Sequence, residues 1–424
     1  MPFRRTSSDL PGGPAWPAVV QATRLTARPA AFLETCRRRH GQWFTVRLPR
    51  RGPAVLMSEP RAVREILGGD PAVFLTGPSG MTPLPVDGAE HLRRRRLLLP
   101  PLHGERLAAW ADPIDTIAER EVATWPDSSP VALQPAMERV TLDVILRTLL
   151  GPVEGRRMEQ IRGLMRRLLW MVGSGVGAAN PMRTRLLEAT STAPRTRVLR
   201  RVDRLLDEEI AARRAAGPEP NHDVLSMLSA QRNDSGDPLP FAEIRASLHV
   251  LLTAGHHTTA ATLSWACYEL AHDPVAMERA AEDEAFRSAV VTETLRLRPA
   301  LPLAGRRLAD DVEVTGRRLP AGTLAAPCLY LLHREPELYR DPRRFLPERF
   351  LGAAPAPYAW APFGGGTRRC PGAGFAVLEA TRVLGAVLRQ RRLRPAETRR
   401  EPVRRLGMSL VPAHGGRVVA QARC

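Results

Sequence analysis

Apolar residues recur every three to four positions along most of the chain from about residue 90 to residue 216, with charged residues between them. This spacing is typical of amphipathic helices. A longer apolar stretch follows from about Pro240 to Ala271. Pro240 suits a first helical turn, and Asp273-Pro274 ends the pattern. The pattern therefore predicts a mainly helical protein with one long apolar helix in its second half.

Shorter segments of the chain alternate between apolar and polar residues and predict strands. Trp43–Pro49 and Ala54–Ser58 predict a hairpin, residues 304–330 predict short antiparallel strands, and residues 405–422 predict a terminal hairpin around Gly415-Gly416. We expect residues 1–30 to form an irregular, proline-rich lead. No linker or repeat divides the sequence, so a single domain over residues 1–424 is expected.

Composition narrows the class of protein. No run of about twenty apolar residues, as a membrane-spanning helix needs, is present in the sequence, and no apolar run follows the charged N-terminus. The five cysteines are far apart and predict neither a disulfide framework nor a zinc site. We therefore expect a cytoplasmic protein without a membrane anchor.

The net charge of +18 comes from 62 basic residues, all of them arginine, and 44 acidic ones. The arginines are scattered and no nucleic-acid-binding motif accompanies them, so nucleic acid is not an expected partner. Two interpretations remain open, namely a generally basic solvated surface and a basic face for an acidic electron-transfer protein.

The segment from Ala361 to Gly372 carries the strongest chemical signal. Cys370 closes a glycine-rich loop, and an apolar helical pattern follows at once. Helix N-termini stabilise thiolates, and glycines let a backbone approach a large flat group closely. Arg368 could supply a cation for a carboxylate. A flat group with an axial thiolate and carboxylates is haem, although a structural buried cysteine remains the alternative for the residue alone.

This loop resembles the haem-binding signature of the cytochrome P450 family through Phe363, Gly366, Arg368, Cys370 and Gly372. The resemblance implies haem b as the cofactor, with Cys370 as the axial ligand of the iron. It also implies the cytochrome P450 fold, in which a long central helix crosses the haem and the cysteine loop precedes the last long helix.

The middle of the long predicted helix, Ala254–Thr259, is rich in poor helix formers. Threonine hydroxyls can bond to carbonyls one turn earlier and bend the helix, and Gly255 leaves room for a ligand. The stretch resembles the family's oxygen-binding motif. The resemblance implies haem contacts for Ala254 and Gly255 and a dioxygen-binding and proton-delivery role for Thr258. His257 replaces the usual acid, as in the family's sterol demethylases, and can relay protons near neutral pH.

Two other interpretations of the histidines are open. His249, His256 and His257 could form a metal site, but no carboxylate completes a catalytic zinc pattern. His249 and His256 could equally be core histidines with satisfied hydrogen bonds.

Three charged groups resemble supporting elements of the same family. Glu293 and Arg296 are three apart, which places them on one helix face. The resemblance implies that they bond with an arginine of a later loop, for which Arg349 is the candidate. This implied role is structural.

Further basic residues are candidates for the haem propionates. His91 and Arg95 share a face of a predicted helix, and arginine suits carboxylates because it donates two bonds. A solvated basic helix is the alternative there. Arg306 matches another propionate position, with Arg307 as its competitor.

The activity implied by the resemblance is monooxygenation of a hydrophobic small molecule, by hydroxylation or epoxidation, in secondary metabolism. Electrons would come from a ferredoxin or flavodoxin and its reductase, docked near Arg368, Arg369 and the helix carrying His91. A partner-independent peroxygenase or isomerase and an inactive docking module are the alternatives. The candidate pocket residues are apolar, which suits a hydrophobic ligand and equally a plain core: Met81, Leu84, Trp170, Leu301 and Leu303.

Overall fold

The computed structural model describes residues 10–49, 52–76, 86–151, 155–173, 181–217, 223–233 and 235–423. This part of the chain is mainly helical, with small sheets. Its helices are α1 Ala18–Ala27, α2 Pro29–His40, α3 Pro60–Gly68, α4 Gly88–Leu98, α5 Ala111–Ala123, α6 Leu133–Leu150, α7 Arg156–Gly173, α8 Pro181–Ala216, α9 Val224–Ala230, α10 Phe241–Ala271, α11 Pro274–Glu282, α12 Glu284–Leu297, α13 Leu329–Leu332 and α14 Ala373–Gln390.

Twelve short strands complete the described part. They are β1 Trp43–Leu48, β2 Gly52–Met57, β3 Phe74–Leu75, β4 Ser129–Ala132, β5 Arg306–Leu308, β6 Val312–Val314, β7 Arg317–Leu319, β8 Leu324–Pro327, β9 Arg391–Pro395, β10 Val403–Leu406, β11 Ser409–Pro412 and β12 Arg417–Ala422. The largest sheet has the order β1-β2-β8-β5-β3 and is antiparallel except where β2 pairs with β8.

The long apolar helix is confirmed, because α10 begins directly after Pro240 and ends just before Asp273. The side chain of Asp273 accepts the backbone N–H of Ala276 and so begins α11. Asp283 begins α12 in the same way. Such caps satisfy N–H groups that have no partner within a helix.

Two sequence predictions are wrong. The N-terminal lead is not irregular throughout, because α1 and the beginning of α2 lie within residues 1–30. The terminal hairpin does not turn at Gly415-Gly416. The C-terminal hairpin is instead β10–β11, while β12 pairs with β9 and β4 in a separate sheet.

Three apolar cores position the elements. The largest lies between α5, α6, α10, α12 and α14, and the other two lie on opposite faces of the five-stranded sheet. Helix α10 packs along α6 on one side and against α14 on another. The loop with Cys370 leads directly into α14, so the two sequence motifs lie on neighbouring helices. Among the described residues, no helix combines the length and the apolar character needed to cross a membrane.

Candidate haem site

The cysteine loop has a backbone that needs glycine. Gly364 and Gly366 have φ angles of 70° and 62°, in the region that side chains rarely adopt. A Cβ atom on Gly366 would lie 2.2 Å from the carbonyl oxygen of Leu67. The loop is closed by Cys370, whose backbone N–H donates to the carbonyl of Phe363 at 2.9 Å. Cys370 therefore has a fixed position at the start of α14.

The electrostatics of Cys370 differ from the sequence expectation. Burial raises the pKa of the Cys370 thiol, although the backbone at Gly372 and the cations of Arg95 and Arg369 act to lower it. The helix start and the arginines therefore favour the thiolate, as the sequence predicts, but loss of hydration outweighs them. The thiol is free, with no disulfide partner among the described residues.

A group of basic side chains surrounds the loop. Arg368 Nη1 donates to Nδ1 of His91 at 2.9 Å, so the other ring nitrogen, Nε2, carries the proton and donates to the carbonyl of Thr367 at 3.2 Å. Burial lowers the pKa of His91 and keeps it neutral. Arg95 Nη1 donates to the carbonyl of Arg369 at 2.5 Å. Both predicted propionate ligands on α4 thus contact the backbone of the cysteine loop.

The structure separates Arg306 from its competitor. Arg306 is buried, and burial together with the nearby Arg368 lowers its pKa to about 10. Arg307 extends the other way along β5 and donates to the carbonyl of Gly322 at 2.8 Å. Asp87 is the acid beside this group, bonded to Arg368.

The charge balance of this region fits a haem. Burial also lowers the pKa of Arg95 and Arg368, so these two arginines and Arg306 lie where cations are disfavoured. Such cations need anionic partners, and the only acid paired with any of the three among the described residues is Asp87. Two propionate carboxylates would complete the balance, beside the half-buried Cys370 on its glycine-rich loop.

The middle of α10 has the hydrogen bonds that its threonines predict. Thr258 Oγ1 donates to the carbonyl of Ala254 at 2.9 Å, and Thr259 Oγ1 donates to that of Gly255 at 3.1 Å. A Cβ atom on Gly255 would lie 3.2 Å from Cδ1 of Ile145, which shows that this glycine lets α6 pack closely. Its small size is therefore used on the α6 side of the helix.

The three histidines of α10 do not converge on a common point. His249 Nε2 contacts Asp203 at 2.7 Å, and His256 Nδ1 contacts the Thr141 hydroxyl at 2.8 Å. His257 Nδ1 lies 3.4 Å from Oε1 of Glu138. No group of three potential metal ligands of this kind occurs among the described residues. The separate partners argue against the metal site.

Sequence reasoning missed two acids at this site. Glu138 on α6 faces His257, and Glu379 on α14 is fully buried with its carboxyl bonded to Thr259. The sequence pattern could have indicated that Glu379 is buried, because it shares a helix face with Phe375, Ala380 and Val383, which are all buried. No sequence pattern indicated the position of Glu138, since an acid on an amphipathic helix is usually exposed.

The supporting ion pair lies inside the protein. Arg296 Nε and Nη2 donate to the two carboxylate oxygens of Glu293 at 2.6 and 2.8 Å, and neither side chain is exposed. Arg349 Nε contacts Oε1 of Glu293 at 3.3 Å. Arg296 also donates to the carbonyls of Pro342 and Arg344. The three residues thus tie α12 to the chain segment that leads to the cysteine loop.

The predicted pocket residues are only partly described. Met81 and Leu84 lie outside the described residues, and Trp170 lies on α7 with its side chain outside them. Leu301 is half-buried. Leu303 pairs with Cys328 and packs into the core between the five-stranded sheet and the N-terminal helices. Leu303 is thus partly buried against that core, and its pocket role stays a prediction.

Comparisons with known proteins agree with this geometry. The sequence model of the cytochrome P450 family matches residues 10–419. The chain is 38% identical to cytochrome P450 135B1 of Mycobacterium tuberculosis over 443 aligned positions, covering 98% of this chain and 92% of that protein. It is 36% identical to cytochrome P450 137 of the same organism, with 90% and 83% coverage.

A solved structure shares the fold. The retinoic-acid-bound cyanobacterial CYP120A1 aligns with a TM-score of 0.80 at 23% identity, covering 98% of this chain and 99% of that one. Family match, relatives and fold agree along nearly the whole length. The chain therefore belongs to the cytochrome P450 family, whose members are haem–thiolate monooxygenases.

Proposed function

We propose that this chain is a single haem b domain that inserts one oxygen atom from O2 into a hydrophobic small molecule of secondary metabolism. Its electrons would come from a ferredoxin or flavodoxin with a reductase. The observation that carries this proposal is the half-buried Cys370 thiol on its glycine loop, beside three arginines whose one acidic partner among the described residues is Asp87. When bound, haem supplies the iron centre that activates dioxygen.

The chain's own residues would divide the work. Cys370 would hold the iron, and Phe363, Gly366 and Gly372 shape the loop that presents its sulfur. Arg306 is the arginine best placed for a propionate, because its guanidinium is buried and its described hydrogen bond goes to the carbonyl of Gly305. His91 and Arg95 would act mainly by fixing the loop through Thr367 and Arg369.

Residues in the middle of α10 would transfer protons to the reaction site. The Thr258 hydroxyl is oriented by its bond to the carbonyl of Ala254 and can pass a proton through its oxygen. His257 precedes it, where the family's motif has an acid, and an imidazole can accept and release a proton. Glu293, Arg296 and Arg349 are structural in this proposal.

The redox partner would dock on the cysteine side of the protein. Arg369 and Arg96 are exposed there, beside the loop and α4, and suit an acidic surface. Arg368 does not contribute to this face, because its guanidinium is turned inward toward Asp87 and His91. We place the enzyme in the cytoplasm, since the four described cysteines are all free.

The deciding experiment is the absorption spectrum of the reduced, carbon-monoxide-bound protein. We expect a strongly red-shifted Soret band in the wild type and its loss in Cys370→Ser. Cys36→Ser is the control, because Cys36 is also a free cysteine but lies on α2, outside the cysteine loop, and it should keep the band. An unchanged band in Cys370→Ser would refute the ligand assignment.

A second measurement separates the proposed enzyme from its alternatives. Turnover of a hydrophobic substrate with a ferredoxin and reductase supports the monooxygenase. Turnover with hydrogen peroxide alone points to a peroxygenase. A purified protein without haem absorbance contradicts both the monooxygenase and the peroxygenase, and supports an inactive docking module.

A further inference from the structure

The position that normally carries an acid in this family holds His257, yet a carboxylate lies next to it. Oε1 of Glu138, on α6, is 3.4 Å from His257 Nδ1. The side-chain amide of Gln134, one turn earlier on α6, donates to the same oxygen at 3.0 Å. Since α6 packs along α10, the two elements hold the imidazole and the carboxylate against each other.

Glu138 is ionised at neutral pH in this environment. Burial alone would raise the pKa of Glu138, but His257 and the Gln134 amide more than compensate and lower it. The other charged group nearby on α6, Arg139, is bonded to Glu121 on α5. His256 stacks on His257 with ring centroids 4.5 Å apart, and burial lowers its pKa to about 3, so it stays neutral. Glu138 is thus the negative charge that acts on His257.

The second ring nitrogen of His257 is not used by the described residues. Nε2 is buried and has no hydrogen-bond partner among them. The 3.4 Å contact of Nδ1 is long for a hydrogen bond, but it is within reach of an ion pair once the ring is protonated. A carboxylate on one nitrogen fixes the orientation of the ring, as in other acid–histidine pairs.

We propose that Glu138 is a positioning residue that supplies, from α6, the negative charge that the motif on α10 lacks. The proposal rests on the monooxygenase function proposed above. His257 keeps its Nδ1 proton toward Glu138 and takes a second proton from water on Nε2. It then releases that second proton from Nε2 toward the Thr258 hydroxyl. Glu138 remains ionised throughout, so the proton count of the pair returns to its starting value after each transfer.

The first test measures, as a function of pH, the coupling of the reaction, which is the share of NADPH electrons that ends in product rather than in hydrogen peroxide. It uses the haem-loaded enzyme with a plant-type ferredoxin and its reductase as electron source. Glu138→Gln should raise the hydrogen peroxide released per NADPH by about tenfold. It should also change the shape of the pH profile, because the charged neighbour of His257 is lost. Glu138→Asp should recover most of both effects.

Two variants make this test specific. Glu121→Gln removes the ion pair that Arg139, the neighbour of Glu138 on α6, makes with α5, and should leave the coupling and the pH profile unchanged. His257→Asp places the acid on α10 itself. In that background Glu138→Gln should no longer raise peroxide release, since the carboxylate from α6 is no longer needed.

The second test does not depend on turnover. Urea midpoints of the wild type, Glu138→Gln, His257→Gln and the double variant form a cycle that measures the coupling between the two residues. We expect the shifts of the two single variants to be non-additive, because the two side chains are in contact. Additive shifts, or a Glu138→Gln enzyme with unchanged coupling and pH profile, would overturn the proposal.

The two proposals can fail separately. If the wild type lacks the red-shifted carbon-monoxide band, the monooxygenase function fails, and the positioning role fails with it even where the urea cycle shows coupling. If the band is present in every variant and Glu138→Gln changes neither peroxide release nor the pH profile, only the role of Glu138 fails.

Discussion

Glu293 and Arg296 are joined by two hydrogen bonds inside the protein, and neither side chain is exposed to solvent. Glu293 also accepts the backbone N–H of Leu346 at 2.8 Å, and Arg296 donates to the carbonyl of His333 at 2.6 Å. The pair therefore satisfies backbone groups of the segment before the cysteine loop as well as its own charges. Removing either partner would leave a buried charge and unpaired backbone groups.

We predict that Glu293→Gln lowers the free energy of unfolding by about 3–5 kcal/mol, the usual loss when one member of a buried ion pair is removed. The matched control is Glu208→Gln, because Glu208 forms an exposed pair with Arg157. That change should cost less than about 1 kcal/mol. Urea denaturation followed by circular dichroism measures both, and equal losses would contradict the structural role of the pair.

Gly366 gives a second prediction. Gly366→Ala combines a φ of 62° with a Cβ atom 2.2 Å from the Leu67 carbonyl oxygen, so the loop must move away from α3. We expect a loss of at least about 1–3 kcal/mol and a lower haem content per protein. Gly163→Ala on α7 is the control. A Cβ atom on Gly163 has no neighbouring atom within 4 Å among those considered, and the substitution should stabilise the helix by about 0.5–1 kcal/mol. Full haem occupancy in Gly366→Ala would show that the loop tolerates a side chain.

Local signals account for what the sequence predicted well. The ends of α10 are marked by Pro240 and by Asp273-Pro274, and the cysteine loop is marked by glycines whose φ angles require them. In each case neighbouring residues determine the backbone, so no knowledge of distant contacts is needed.

Long-range contacts explain what the sequence did not show. Gln21 is buried on α1, where its amide donates to the carbonyls of Pro14 and Trp16 and its oxygen accepts the N–H of Arg47. Nothing near Gln21 in the sequence indicates these bonds. Similarly, β12 has a normal strand pattern, but its partners β9 and β4 are set by the packing of distant elements.

In the candidate site, too, some residues could be predicted from local sequence and others only from long-range contacts. The motif residues Cys370 and Thr258 could be found one at a time, because each lies in a short recognisable segment. Glu138 could not, since its relation to His257 exists only once α6 packs on α10.

Arg306 and Arg307 provide a matched pair of variants. Arg306 is buried beside Arg368, whereas Arg307 bonds to the Gly322 carbonyl in an exposed position. If Arg306 binds a propionate, Arg306→Gln should speed the transfer of haem to apomyoglobin about tenfold or more, because a hydrogen bond to a charged group contributes about 1.5–3 kcal/mol. Arg307→Gln should leave this rate nearly unchanged. Equal rates for both variants would remove Arg306 from the haem site.

Glu379 makes stability depend on pH in a direction opposite to that of most carboxylates. It is fully buried on α14, and burial raises its pKa well above the usual range, although a hydrogen bond with Thr259 acts to lower it. One carboxyl oxygen, Oε1, has no hydrogen-bond partner in the part of the chain that the structure describes. The folded protein therefore keeps this proton over a pH range in which the unfolded chain, with an ordinary pKa of about 4.3, has released it.

The sign of the effect follows from proton linkage. Where the folded state binds more protons than the unfolded state, the free energy of unfolding falls as pH rises, by up to about 1.4 kcal/mol per pH unit for one proton. Glu379→Gln keeps the shape of the side chain and stays neutral at every pH. We expect its stability relative to wild type to increase steadily from about pH 5 to about pH 8, as measured by urea unfolding. Glu397→Gln, at an exposed loop position, should give a curve parallel to wild type. A parallel curve for Glu379→Gln as well would mean that Glu379 is already ionised in the folded protein.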